Sequence, residues 1–388
     1  MDFDLSNEQQ QFRDSVRRFS EERLRAGALA RARDPGYPWD IAKLMAAQGL
    51  LGIAMRVEDG GQGGTLMDAL IAIQEVSGVC PRSADVIQAG NFGPARTLAE
   101  YGSPVQKQKY LAPVLRGEGL IAIGMTEPEA GSALTDLRTT ATAAPGGYRV
   151  NGGKVFTTHS MQATALLCYC RFGPGTDGIG SVMIDLKAAG VSFGKTSRFM
   201  TGENWRQIYL ENVFVPEADV VLKEGGFRKQ MAGFNAERIG NSARSVAFGR
   251  LAFAIARDHA QTRKQFGRPL ADFQGVQWKF AEMAMKLEAA QLMLYKAAAA
   301  AEQGLPDAID TAMAKHMCNQ YGFDVCNEAM QVMGGMGFSE ETLVDYCMRR
   351  TRGMMIAGGS LEMMKNRIAE GVFGRRFSQR PPRPGASD

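Results

Sequence analysis

The chain changes its hydrophobic period twice, and that order of textures limits the possible folds more than any single residue does. Up to about residue 120, apolar side chains recur at helical spacing. Phe12, Val16 and Phe19 follow Ser6 and Gln9, which form a capping-box pattern at a helix start. A second start is expected at Asp40, ahead of Ile41, Leu44 and Met45. A third is expected behind the cluster Gly60–Gly61–Gln62–Gly63–Gly64, where Leu66, Leu70 and Ile73 recur. That cluster lacks the Lys-Ser/Thr of a phosphate-binding P-loop and follows no clear strand, so it reads as a turn.

From about 121 to 225 the texture becomes that of strands. Ala165 to Phe172, Ser181 to Leu186 and Ile208 to Val215 are divided by turns containing Gly and Pro. Asn151-Gly152 stands between Tyr148–Val150 and Lys154–Phe156 and predicts a hairpin turn, because Asn and Gly tolerate positive φ. From about 226 the helical period returns. Phe248, Leu251 and Ile255 mark one helix, and Val276, Phe280, Met283 and Leu287 a second. Ile309, Met313 and Met317 mark a third, with methionine filling gaps in the core. The expected fold is α+β and multidomain: an N-terminal helical domain (1–120), a middle β-domain (121–225) and a C-terminal four-helix-bundle-like domain (226–376). The Pro-rich stretch 377–388 reads as a disordered tail.

Composition removes several function classes. Forty-five basic and 41 acidic residues leave a net charge of +4 with no dominant basic block, which argues against nucleic-acid binding. The six cysteines follow no zinc-ligand spacing and read as reduced, apolar residues; Cys168 and Cys170 point to one face of an apparent strand. His159, His259 and His316 are far apart in sequence, which leaves little material for a metal site or a Ser-His-Asp relay. No apolar run approaches the ~20 residues of a membrane span. The polar start MDFDLSNEQQ is unlike a signal peptide, so a soluble, cytoplasmic protein is expected.

Four motifs then stand in one register. Met125-Thr126-Glu127-Pro128-Glu129-Ala130-Gly131-Ser132 resembles the TEPxAGS signature of acyl-CoA dehydrogenases. Asn151-Gly152-Gly153-Lys154 with Phe156-Thr157-Thr158 resembles their NGxKxxIT segment. Arg263 to Gly267 with Phe273-Gln274 matches RxxFGxxLxxFQ, and Gln331 to Gly337 matches QxxGGxG. The resemblance covers nearly the whole chain except the tail. It implies FAD as cofactor and desaturation of an acyl thioester, in which a base takes the α-proton and flavin N5 accepts the β-hydride. By the same resemblance Met125, Thr126, Gly131, Ser132, Phe156 and Thr158 hold the isoalloxazine, with Ser132 also serving pantetheine. Arg263, Phe266, Gln274, Gln331, Gly334 and Gly335 serve the rest of FAD, shared with a neighbouring subunit of a homotetramer or homodimer, and Ser360 is a further implied cofactor contact. An electron-transferring flavoprotein is the implied electron acceptor.

One position departs from the family. Most relatives carry the catalytic glutamate near the C-terminus in a YEGT-like stretch, where this chain has Ala357-Gly358-Gly359-Ser360. Glycine cannot take a proton. Some relatives, including the isovaleryl and long-chain enzymes, carry the glutamate on an earlier helix just before an arginine, and here Phe234-Asn235-Ala236-Glu237-Arg238-Ile239 stands at that place. Glu237 is therefore the expected base. The plainer alternative is a carboxylate in a first helical turn, satisfied by the helix dipole. The resemblance further implies that Phe234, Asn235, Arg238 and the backbone of Gly358 contact substrate. Ala133 stands where Asp is usual, and Arg349-Arg350 where many relatives have Arg-Asp. The Gly-Gly-Ser stretch is similar to that of crotonobetainyl-CoA reductase-like members. Three alternatives stay open: a carrier-protein-tethered acyl group as substrate, an enoyl-CoA reductase running in reverse, and a non-catalytic flavin or acyl-CoA binding subunit.

Overall fold

The structure is a computed structural model that describes residues 4–301 and 304–380. The N-terminal part is helical: α1 (Asn7–Leu24), α2 (Ala28–Arg33), α3 (Trp39–Ala47), α4 (Leu66–Val79), α5 (Ala84–Asn91), α6 (Gly93–Tyr101), α7 (Pro104–Gln106) and α8 (Ala112–Leu115). The capping box at the first helix forms as expected, since Ser6 Oγ accepts from Gln9 N while Gln9 Oε1 accepts from Ser6 N. The second long helix begins at Trp39 rather than Asp40, behind Pro38; a proline there has no N–H to leave unsatisfied. The glycine cluster is a tight turn. A Cβ on Gly61 would lie 2.4 Å from Met55 O, and Thr65, just after the cluster, caps α4 with Asp68.

The middle part is one twisted sheet of β1 (Ile121–Gly124), β2 (Thr140–Ala144), β3 (Gly147–Lys154), β4 (Ala165–Arg171), β5 (Ile179–Asp185), β6 (Val191–Phe193), β9 (Ile208–Pro216) and β10 (Val220–Leu222); β7 (Ser197–Arg198) and β8 (Asn204–Trp205) form a separate ribbon. The order is β10-β5-β4-β2-β3-β9-β6, with β1 parallel to β4. Leu166, Cys168 and Cys170 of β4 enter one core, while Leu167 between them enters another against α6 and α8. A strand buried on both faces reads as a continuous apolar run, which is what β4 shows.

The hairpin expected at Asn151-Gly152 does not exist. β3 runs straight through both residues, with a bulge against β9 between Val150 and Gly152. The turn is Pro145-Gly146, between β2 and β3, with Gly146 at φ +77°. Gly152 is needed for another reason: a Cβ there would lie 2.7 Å from Thr139 Cα.

The C-terminal part holds α9 (Phe227–Thr262), a short hairpin of β11 (Lys264–Gln265) and β12 (Arg268–Pro269), α10 (Gln274–Ala299), α11 (Ala308–Met333), α12 (Gly335–Phe338), α13 (Val344–Met354) and α14 (Leu361–Phe373). α9 and α11 approach closely, because Gly322 faces the Ser245 carbonyl and Gly249 faces Gly322. The methionine stripe of α11 is only partly buried; its fully buried line is Ala314, Lys315, Cys318 and Asn319. All six cysteines are free and buried. No described helix is long and apolar enough to cross a membrane. Of the expected tail, 381–388 lie outside the described residues; 377–380 form neither helix nor strand, and Arg380 pairs with Asp136.

Candidate active site

The first two motifs meet through one ion pair. Lys154, fully buried at the end of β3, donates to Glu127 Oε1 at 2.7 Å, and Thr139 N and Oγ1 donate to the same oxygen at 3.0 and 2.6 Å. Burial works against ionisation of Glu127, but Lys154 and these hydrogen bonds overcome it and hold the carboxyl below its usual range. Glu127 of the first motif and Lys154 of the second are thus each other's counter-ions, and they fix the edge that the neighbouring residues form.

That edge is a shelf. Thr126 O accepts from Val155 N at 2.9 Å, joining the end of β1 to the end of β3. Phe156 follows at φ +55°, 57% exposed, with its ring 4.7 Å from that of Trp205. Thr157 Oγ1 is buried with no hydrogen-bond partner. Met125 and Thr126 are half-buried, Thr158, Gly131 and Ser132 are exposed, and a Cβ on Gly131 would meet nothing within 4 Å. An exposed aromatic face, an unpaired buried hydroxyl and open space over a glycine fit a planar ring with polar edges. The isoalloxazine of FAD is such a ring.

α9 docks on this shelf. Phe227 and Met231 pack against the cluster of Ala130, Leu137, Tyr169 and Ile179, to which Met125 also belongs. Six residues further on stands Glu237, ten residues into the helix and so well past its first turn; the helix-dipole alternative therefore fails. Its carboxylate faces Gly93, where a Cβ would lie 2.6 Å from Oε2, and its backbone carbonyl accepts from Gln88 Nε2 at 3.2 Å. Burial pushes the Glu237 carboxyl up to about 7, with Asp85 adding to the rise and Arg244, Gln88 and Lys315 opposing it.

The loop bearing Gly358 lies against the same turn of α9. Arg238 Nε donates to Gly358 O at 2.9 Å and NH1 to Asn235 Oδ1 at 2.8 Å, while its guanidinium covers the buried Phe234 ring. Gly358 has φ +74°, and a Cβ there would lie 3.4 Å from Lys315 Cε. Lys315 is fully buried and donates to Met354 O at 3.1 Å. Burial pushes its ammonium down to about 7. Ser360 Oγ accepts from Met363 N and so caps α14.

The remaining expected cofactor residues lie elsewhere. Arg263 closes α9 just past its last residue, 26 residues after Glu237 and roughly 40 Å away along the axis at ~1.5 Å per residue. Phe266, at φ +50° and 94% exposed, tips the β11–β12 hairpin, with Gln274 exposed at the start of α10. Gln331, Gly334 and Gly335 are exposed at the turn from α11 to α12.

Sequence reading missed a buried charge network beside Glu237. Arg82 NH1 donates to Asp85 at 2.6 Å and to Glu203 at 2.5 Å, Arg244 NH1 donates to Asp85 at 2.5 Å, and Arg350 bridges Asp85 and Glu203. His159 approaches both carboxylates, but burial pushes its imidazole down to about 4, and the guanidiniums already neutralise the two acids. The trio of Asp85, His159 and Glu203 is thus an ion-pair centre rather than a metal site. A faint signal existed: Arg82, Asp85 and Arg244 interrupt runs of small and apolar residues, and Arg350 breaks the family's Arg-Asp pattern.

Comparison with known proteins agrees along the chain. The acyl-CoA dehydrogenase N-terminal, middle and C-terminal domain families match residues 6–118, 122–213 and 224–373. A short-chain-specific acyl-CoA dehydrogenase of Clostridium acetobutylicum is 33% identical, over 96% of this chain and 100% of that protein. The structure of butyryl-CoA dehydrogenase from Megasphaera elsdenii superposes with a TM-score of 0.89 at 29% identity, covering 97% of this chain and 100% of that one. PigA with FAD and proline superposes with a TM-score of 0.91 at 26% identity, covering 96% and 99%.

Proposed function

The chain belongs to the acyl-CoA dehydrogenase family of FAD-dependent oxidoreductases, and on that premise we propose that Glu237 is the base that takes the α-proton of a bound acyl-CoA. The observation that carries this reading is a carboxyl pushed up to about 7 by burial, beside a loop whose Gly358 has no side chain to offer. A base poised near neutral pH is both ionised and strong enough to act. FAD, when bound, supplies the acceptor for the β-hydride. Arg238 holds the Gly358 carbonyl and so fixes the loop, whose Gly358 N–H is the proposed donor to the thioester carbonyl. Phe234 and Asn235 wall the same turn, and Ser132 lies at the open edge where pantetheine would pass.

Met125, Thr126, Gly131, Ser132, Phe156 and Thr158 form the flavin shelf in this reading. Arg263, Phe266, Gln274, Gln331, Gly334 and Gly335 serve the dinucleotide of a neighbouring subunit, and the backbone at Ser360 lies beside the thioester loop. The length of α9 supports the sharing, since one rigid helix holds Arg263 far from its own Glu237. An electron-transferring flavoprotein is the proposed acceptor of the electrons.

The test is anaerobic bleaching of the bound flavin by acyl-CoA. Glu237→Gln is expected to keep FAD and the spectral shift on thioester binding, and to slow bleaching about 10²–10⁴-fold, the usual worth of a positioned base. Bleaching at the wild-type rate would remove the assignment.

A further inference from the structure

The helix face that continues from Glu237 is polar, unlike a surface suited to an aliphatic chain. On α9 the face of Glu237 runs on through Asn241 and Arg244, at i+4 and i+7. On α5, Gln88 and Asp85 stand one turn apart. The helices pair these residues end for end: Gln88 reaches the Glu237 carbonyl, and Asp85 accepts from Arg244. Arg244 lies about 10 Å along the axis from Glu237, and side chains on a helix lean toward its N-terminus, here toward the base.

Charge decides what that face can accept. Among the described residues, Arg82, Arg244 and Arg350 share only Asp85 and Glu203 as ion-pair partners. His159 is neutral, and burial pushes the Tyr37 and Tyr346 hydroxyls up, so they stay neutral too. The network is one anion short, and a buried charge without its partner is costly. Glu237 cannot be the permanent counter-ion, because the reaction requires it to take up a proton. Nε is buried without a partner in all three guanidiniums, but Arg82 also reaches both carboxylates and two backbone carbonyls and Arg350 grips both carboxylates, whereas Arg244 bonds Asp85 through NH1 alone.

We propose that the acyl group of the substrate carries a second, terminal carboxylate and that Arg244 receives it. The inference rests on Glu237 as the base, which sets where the α-carbon lies and therefore where the tail runs. The substrate class is a short ω-carboxyacyl thioester. Its carboxylate completes the charge balance of the network and is unchanged by the desaturation.

The experiment compares thioesters matched in length, glutaryl-CoA against valeryl-CoA and adipyl-CoA against hexanoyl-CoA, on the FAD-loaded full chain. Dissociation constants come from the perturbation of the flavin spectrum and rates from bleaching. The ω-carboxy member of at least one pair is expected to bind tenfold tighter or more, about what hydrogen bonds to a charged group are worth. Arg244→Gln is expected to bring that ratio close to one, with FAD content and the unfolding midpoint measured alongside. If that variant does not fold, the wild-type ratios decide. Methyl-terminated thioesters that bind as tightly as their carboxylated partners would overturn the proposal. Should they also bleach the flavin in a Glu237-dependent way, the base stands and Arg244 is merely structural. Carboxylate-selective binding with undiminished bleaching in Glu237→Gln would instead sink the base and leave the pocket.

Discussion

At the scale of single residues, Glu237 and Lys315 are an acid and a base that feel each other's charge. Burial moves both toward neutrality from opposite sides, and each favours the other's charged form. Lys315→Met should therefore raise the Glu237 carboxyl further, so the acidic limb of the bleaching rate should move to higher pH. An unmoved limb would mean that the ammonium does not reach the base. Stability follows the opposite course from activity. Below about 4.5 the Glu237 carboxyl is protonated in both folded and unfolded chains, so wild type and Glu237→Gln should unfold alike. Between there and about 7 the unfolded chain ionises first and the folded state loses ground. Above 7 the variant should be the more stable by about 1–3 kcal/mol, read as a denaturant midpoint that separates from wild type only at higher pH. Glu237 was legible as a candidate from its place before an arginine and from the glycine at 358. Lys315 was not, because a lysine in an amphipathic helix ordinarily marks the wet face, and here it lies on the buried line.

At the scale of elements, the site depends on how closely α9 and α11 approach. Gly322 lets the Ser245 carbonyl sit where a Cβ would lie 2.5 Å away, and Ser245 follows Arg244 directly. Gly322→Ala should cost roughly 1–3 kcal/mol through overpacking and displace that turn of α9. The expected result is a lower thermal midpoint together with slower bleaching. β4 was legible as an apolar run between turns, and periodicity revealed these helices, since a period of 3.6 is written locally. It failed at Asn151-Gly152, where glycine answers a close approach from Thr139 and not a turn. The start of α9, expected at about 226, stands at Phe227, and Phe227 and Met231 give its first turns an apolar face toward the sheet. The charge network stayed hidden for a different reason: Asp85, Glu203 and Arg350 come from three separate parts of the chain and meet only in the fold.

At the scale of the whole molecule, apolar surface lies open on the C-terminal helices. Trp278, Met285 and Leu292 repeat every seventh residue along one face of α10, and Phe266, Val372 and Phe373 are exposed as well. Single exposed apolar residues are ordinary, but a stripe of this kind marks a surface that meets another protein. Light scattering should give a mass of at least two chains, and Trp278→Glu with Met285→Lys should lower both that mass and the FAD content. A monomer saturated with FAD would end the idea of a shared cofactor site. The continuous helix from Glu237 to Arg263 has one more consequence. Each inserted or deleted residue would turn one end against the other by about 100°. Descendants of this gene can therefore drift in composition through that stretch, but they should preserve its spacing, and gaps between those two positions should be missing from working copies.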